Sequence, residues 1–103
     1  AGEDADFEAK VAALEELDAR LPRILGLGPD VLVIAGDHST PAIMGSHSWH
    51  PVPLLVRSAL TRGDGVDGFS ERASAAGSLG RLAAESVMLL ALAHAGKLRK
   101  FGP

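Results

Sequence analysis

The sequence predicts an α/β fold with few strands and flanking helices, and three stretches carry that expectation. Phe7, Val11, Leu14 and Leu21 recur at helical spacing with Leu17 beside them, and Asp30-Val31-Leu32-Val33-Ile34-Ala35-Gly36 is a continuous apolar run bounded by turn residues. Leu79, Leu82, Val87, Leu90 and Ala93 outline a second helical stripe.

The first stretch predicts an amphipathic helix over about 6–21, with Asp4 or Asp6 as N-cap and Glu8, Lys10, Glu15, Glu16 and Asp18 off the apolar stripe. Pro22, then Gly26, Gly28 and Pro29, are expected to end it. The run 31–35 is β-branched and apolar on every side, the pattern of a strand buried on both faces in a parallel sheet. Asp37 to His50 is polar, small or histidine-bearing, and Pro41 and Gly45 break any regular element there. Val52 to Arg57 reads as a second strand, with Pro51 and Pro53 making its start irregular. After a glycine- and aspartate-rich loop over 58–68, Phe69 to Ala76 suits a short helical turn. A long helix over about 78–95 follows, closed by Gly96. Both helices are expected to pack on the 31–35 strand. Two strands make a thin sheet for an independent domain.

At 103 residues, 47% hydrophobic and 22% charged, the chain has the composition of a globular domain with apolar material for a core. Its formal net charge of −3 leaves no basic face for nucleic acid; the tail Lys97-Leu98-Arg99-Lys100 suits a helix C-terminus better than a binding patch. The longest apolar stretches, 31–35 and 87–93, fall far short of the roughly 20 residues of a membrane span, so no membrane partner is expected. The absence of cysteine rules out a disulfide framework and a thiolate metal site, and favours a cytoplasmic location. No signal peptide is visible, and the abrupt Ala1-Gly2-Glu3-Asp4 start suggests the interior of a longer protein.

The chemistry lies in Ala35-Gly36-Asp37-His38-Ser39-Thr40 and in Ser46-His47-Ser48-Trp49-His50-Pro51-Val52-Pro53. An acid and a histidine follow an apolar strand directly, where ligands collect in open α/β sheets. Three of the four histidines fall within 38–50, and aspartate oxygen with imidazole nitrogen suits Zn²⁺, Mn²⁺ and related ions. Spacing alone leaves other readings open. A strand-end aspartate often only caps the following turn. His47 and His50 could be surface histidines, Trp49 a packing lid over the loop, and His94 a structural or helix-dipole partner.

Val33-Ile34-Ala35-Gly36-Asp37-His38-Ser39-Thr40-Pro41, followed by Ser46-His47-Ser48 and Pro51-Val52-Pro53, resembles the archaeal-type cofactor-independent phosphoglycerate mutases of the alkaline phosphatase superfamily. Ala1-Gly2-Glu3-Asp4-Ala5-Asp6-Phe7-Glu8-Ala9-Lys10 is similar to that family's Ala-Gly-His-Asp-x-Asp-Phe-Glu-x-Lys segment. Phe69-Ser70-Glu71, Gly77-Ser78-Leu79-Gly80 and Lys100-Phe101-Gly102 resemble its C-terminal end.

The resemblance implies a partial alkaline-phosphatase-like three-layer α/β/α domain, with residues 1–103 as the C-terminal piece of the metal-binding domain. It implies two divalent ions, Mn²⁺ or else Zn²⁺ or Mg²⁺. Asp37 and His38 match ligands of one, and His47 a ligand of the other. Glu3 stands where the family has a metal-binding histidine, a departure to a harder, charged donor; His50 stands where the family has Asp or Asn and is not expected to ligate. The nucleophilic serine lies outside the chain, so no catalytic residue is expected within it. The implied partners are phosphoglycerate and the remainder of the same enzyme. The full enzyme would interconvert 2-phosphoglycerate and 3-phosphoglycerate through a phosphoserine in glycolysis and gluconeogenesis, and the isolated piece would be inactive and prone to self-association. Two other readings remain: a sister phosphotransfer enzyme (a phosphonate hydrolase or homoserine-kinase-like member), and a stand-alone non-catalytic metal-binding module. If the metal reading holds, Asp37, His38 and His47 should lie close together.

Overall fold

The computed structural model describes residues 1–99, so the Lys100-Phe101-Gly102 segment lies outside the described residues. The elements run α1 (Phe7–Leu25), β1 (Val31–Ala35), β2 (Leu54–Ser58), α2 (Glu71–Ala75) and α3 (Val87–His94), with a single 3-10 turn at Ala84–Ser86 before α3. They divide into two compact units, one of residues 1–29 and 36–52, the other of 30–35 and the described residues from 53 onward.

In the first unit, the Asp6 carboxylate accepts from the Ala9 amide at 2.9 Å and so caps the N-terminus of α1. Pro22 does not end the helix as expected; α1 continues through it to Leu25. A proline inside a helix removes one amide donor, but its own carbonyl still accepts, here from Gly26 at 2.9 Å. Leu21, Ile24 and Leu25 are half-buried and keep the apolar spacing through that last turn. The loop over 36–52 is organised by an antiparallel bridge between Ser39 and Ser48, whose amide donates to the Ser39 carbonyl at 2.9 Å.

In the second unit β1 and β2 pair antiparallel, Val31 opposite Ser58 and Ala35 opposite Leu54. This corrects the expectation of parallel pairing: an apolar run reports that both faces of a strand want cover, which says nothing of its neighbour's direction. β2 begins at Leu54, after Pro51 and Pro53, since proline has no amide to give a ladder. Val31, Val33, Val56 and Ser58 share one side of the ladder, and the Ser58 hydroxyl meets His94 Nδ1 of α3 at 3.3 Å. His94 thus ties the end of α3 to the end of β2.

The last helix starts later than expected, because Gly80 has φ +61° in the turn that follows α2 and cannot sit in a right-handed helix there. Gly96, at φ +70°, closes α3 while the Lys97 amide bonds back to the Leu92 carbonyl at 2.9 Å. Ser70 caps α2 through the Ala73 amide. The Asp64 carboxylate accepts from the amides of Ser78 at 3.0 Å and Val66 at 3.2 Å. Those bonds, the one from Ser78 first, hold its carboxyl below the ordinary carboxylate range.

The apolar composition does not become a closed core. Among the described residues no hydrophobic side chain is fully buried, and Ser39, at 7% exposure, is the one buried residue. Phe7 and Leu14 of α1 are 68% and 60% exposed, and Met88 of α3 is 67% exposed. A helix apolar on all sides, as α3 is, normally lies inside a larger body.

Candidate metal centre

Gly36 ends the β1 segment, and Asp37 and His38 follow at once. Gly36 has Val52 against it, leaving only 3.2 Å for an added Cβ, so the start of the loop is closely held. Asp37 Oδ1 accepts the His38 amide at 2.8 Å, and its Oδ2 lies 3.2 Å from His38 Nε2. The amide bond first, then the charge of His38, keep the Asp37 carboxyl below its usual range.

The second half of the site comes from far apart in the sequence. His47 Nε2 stands 3.1 Å from Glu3 Oε1. Glycine makes that approach possible twice. A Cβ on Gly2 would lie 2.9 Å from the Thr40 carbonyl oxygen, and Gly45, beside the Glu3 carbonyl, takes φ +58°, a left-handed backbone that favours glycine. Lys10 Nζ also donates to the Thr40 carbonyl at 2.7 Å, fastening α1 to the loop. The His38 and His47 rings meet edge to face, centroids 3.9 Å apart. Glu3, Lys10, Asp37, His38 and Thr40 line an open depression of about 320 Å³.

Asp37, His38, His47 and Glu3 are therefore gathered in one cluster, as two carboxylate–imidazole pairs. Among the described residues no three His, Cys, Asp or Glu side chains converge on one point as a full ligand set. The pairs have a spacing that suits metal chemistry. Two donors each about 2.0–2.2 Å from one ion, at tetrahedral or octahedral angles, stand about 3.0–3.5 Å apart; the observed separations are 3.2 and 3.1 Å. The chain thus offers two carboxylate–imidazole pairs of mixed oxygen and nitrogen donors.

The other residues singled out behave differently. His50 Nδ1 pairs with the Ser48 hydroxyl at 2.8 Å, and its ring stacks on Trp49, centroids 4.2 Å apart. Trp49 is no packing lid: it is 84% exposed, with the His50 ring against it. Glu3 could not be paired with His47 from spacing, and the signals that allow the pairing, Gly2 and Gly45, read in the sequence as ordinary turn residues.

This pairing of carboxylate and imidazole donors, on an α/β chain, is the donor chemistry of a metal-dependent enzyme. Residues 1–94 match the Metalloenzyme superfamily, and the chain belongs to it. Among its relatives, a probable 2,3-bisphosphoglycerate-independent phosphoglycerate mutase of Thermus thermophilus is 56% identical over 101 residues, 98% of this chain and 25% of the relative. One of the same name in Thermotoga maritima is 57% identical over the same shares. The structure of the PH0037 protein from Pyrococcus horikoshii covers all of this chain with 32% of its own, at 34% identity and a TM-score of 0.91. The chain spans about a quarter of the length of the curated relatives it matches.

Proposed function

We propose that residues 1–103 are the C-terminal piece of the metal-binding domain in a cofactor-independent phosphoglycerate mutase, which interconverts 2-phosphoglycerate and 3-phosphoglycerate in the cytoplasm, within glycolysis and gluconeogenesis. The observation that carries the reading is the meeting of Glu3 with His47 beside the Asp37–His38 pair, in a chain whose relatives bear that enzyme's name. Asp37 and His38 hold one divalent ion, and His47 and Glu3 the other, with Mn²⁺ the first choice of metal. When bound, such ions lower the pKa of a coordinated hydroxyl and neutralise charge on phosphoryl oxygens. The chain's residues supply position: the loop fixes the histidines, and the carboxylates set the charge of each half-site. By the family resemblance, the serine that takes the phosphoryl group belongs to the remainder of the enzyme.

A coupled assay of the full-length protein with 3-phosphoglycerate and enolase tests this. Metal-dependent formation of 2-phosphoglycerate is expected. Hydrolysis of a phosphonate, or phosphorylation of homoserine, with no mutase turnover would move the protein to a sister branch of the superfamily.

The same reading gives the exposed apolar side chains an occupant. Phe7, Leu14, Ile43, Met88 and Leu89 are all more than half exposed, and single scattered cases of that kind are normal, but having no buried hydrophobic side chain among the described residues is not. The solved relative holds this fold within a chain about three times as long, so the remainder of the same enzyme is the body that covers these faces. Alone, the 103-residue chain is expected to self-associate through them and through its uncovered sheet edges. Sedimentation checks this: a concentration-dependent rise in mass is expected, and a strictly monomeric compact species at high concentration would contradict it.

A further inference from the structure

The two donor pairs meet at one atom of a motif residue, Thr40, to which neither the family resemblance nor the ligand assignment gives a role. Thr40 Oγ1 lies 3.1 Å from His38 Nδ1 and 2.9 Å from His47 Nδ1. Each imidazole therefore has Nδ1 on the threonine hydroxyl and Nε2 on a carboxylate, Asp37 for His38 and Glu3 for His47.

Hydrogen counting restricts what that arrangement can be. A hydroxyl has one hydrogen and two lone pairs, and a neutral imidazole has one N–H. Thr40 cannot donate to both rings. It serves both in the same tautomer only by accepting twice, from Nδ1–H of His38 and Nδ1–H of His47. That tautomer leaves the lone pair of each ring at Nε2, against a carboxylate oxygen at 3.1–3.2 Å. Two lone pairs at that distance repel unless a cation, a proton or a metal ion, lies between them. The hydroxyl that satisfies both rings is thus the one that presents both Nε2 atoms to metal.

The hydroxyl is held in place from its own backbone. The Thr40 carbonyl takes Lys10 Nζ at 2.7 Å, and Gly2 lies close enough that an added Cβ would stand 2.9 Å away. The preceding residue is Ser39, buried and bridged to Ser48 beside His47. A lone threonine–histidine bond on a surface is commonplace, whereas one hydroxyl shared by the histidines of both donor pairs couples the pairs.

We infer that Thr40 is a positioning residue common to both half-sites, its hydroxyl fixing His38 and His47 together in the Nδ1–H tautomer with Nε2 free for metal. This rests on the metal reading above. The test uses the full-length protein as wild type, Thr40→Ser, which keeps the hydroxyl, and Thr40→Val, which keeps the shape. Zn²⁺ and Mn²⁺ affinities are measured by competition titration, and histidine tautomers by long-range ¹H–¹⁵N spectra of the ring nitrogens.

In the zinc-loaded wild type both rings are expected to carry their proton on Nδ1; a proton on Nε2 of either ring overturns the inference without any substitution. Thr40→Ser should stay close to wild type. Thr40→Val should weaken both metals by about 10–100-fold, the usual effect of losing a group behind a ligand, and should move the ring signals of both histidines. Wild-type affinity in the valine variant, or a response from one histidine alone, contradicts the shared role. If the wild type takes up no metal, yet both histidines respond to valine and not to serine, the shared hydroxyl stands and the metal reading falls.

Discussion

The 103-residue chain alone is expected to convert neither 3-phosphoglycerate nor a simple phosphate ester, with or without Mn²⁺. Catalytic zinc sites commonly use three protein ligands, whereas each proposed half-site brings two, Asp37 with His38 and Glu3 with His47. Metal affinity should therefore be weak before any nucleophile is considered. Neither Ser39 nor Ser48 is expected to take that role: Ser39 is buried, and the family resemblance puts the nucleophilic serine in the remainder of the enzyme. The whole acceleration, at least about 10⁶-fold for an enzyme of ordinary power, should be missing in the enolase-coupled assay. Metal-dependent turnover by this chain, lost on Asp37→Ala, would contradict the assignment and place a nucleophile within residues 1–103.

In the full-length protein, His38→Ala and His47→Ala should each lower metal affinity by more than about 100-fold, beyond the loss seen when a group behind a ligand is removed. Turnover should fall with it, because each substitution takes one of only two donors from its half-site. His50→Ala is the internal control. It lies in the same loop, yet its ring is engaged by Ser48 and Trp49, so affinity and turnover should stay near wild type. Metal content after dialysis, read beside kcat, separates the cases. A His50 substitution as damaging as His47, or a harmless His38 substitution, would contradict the pairing.

These expectations draw unequally on sequence and structure. The helix start at Asp6, the strand at 31–35 and the short turn after Ser70 were legible because capping chemistry and apolar runs are local properties. The pairing direction of β1 and β2 was not, since an apolar run carries no sign of its neighbour's polarity. Pro22 misled because a proline can lie within a helix whose next turn still has apolar side chains in register. At the site, Asp37, His38 and His47 stood out by motif. The reach of Glu3 to His47 depends on a close backbone approach at Gly2 and a left-handed turn at Gly45, which no linear pattern announces. Thr40 stood within the motif, but the role proposed for it was not legible, since it arises only when two rings converge on one oxygen.

Anomalous diffraction from Zn²⁺-loaded crystals of the full-length protein tests the two half-sites most directly. Two peaks are expected about 3.5–4 Å apart, one within about 2.0–2.2 Å of His38 Nε2 and an Asp37 oxygen, the other at the same range from His47 Nε2 and Glu3. Ions bound elsewhere, by neither the Asp37–His38 pair nor the Glu3–His47 pair, would contradict it.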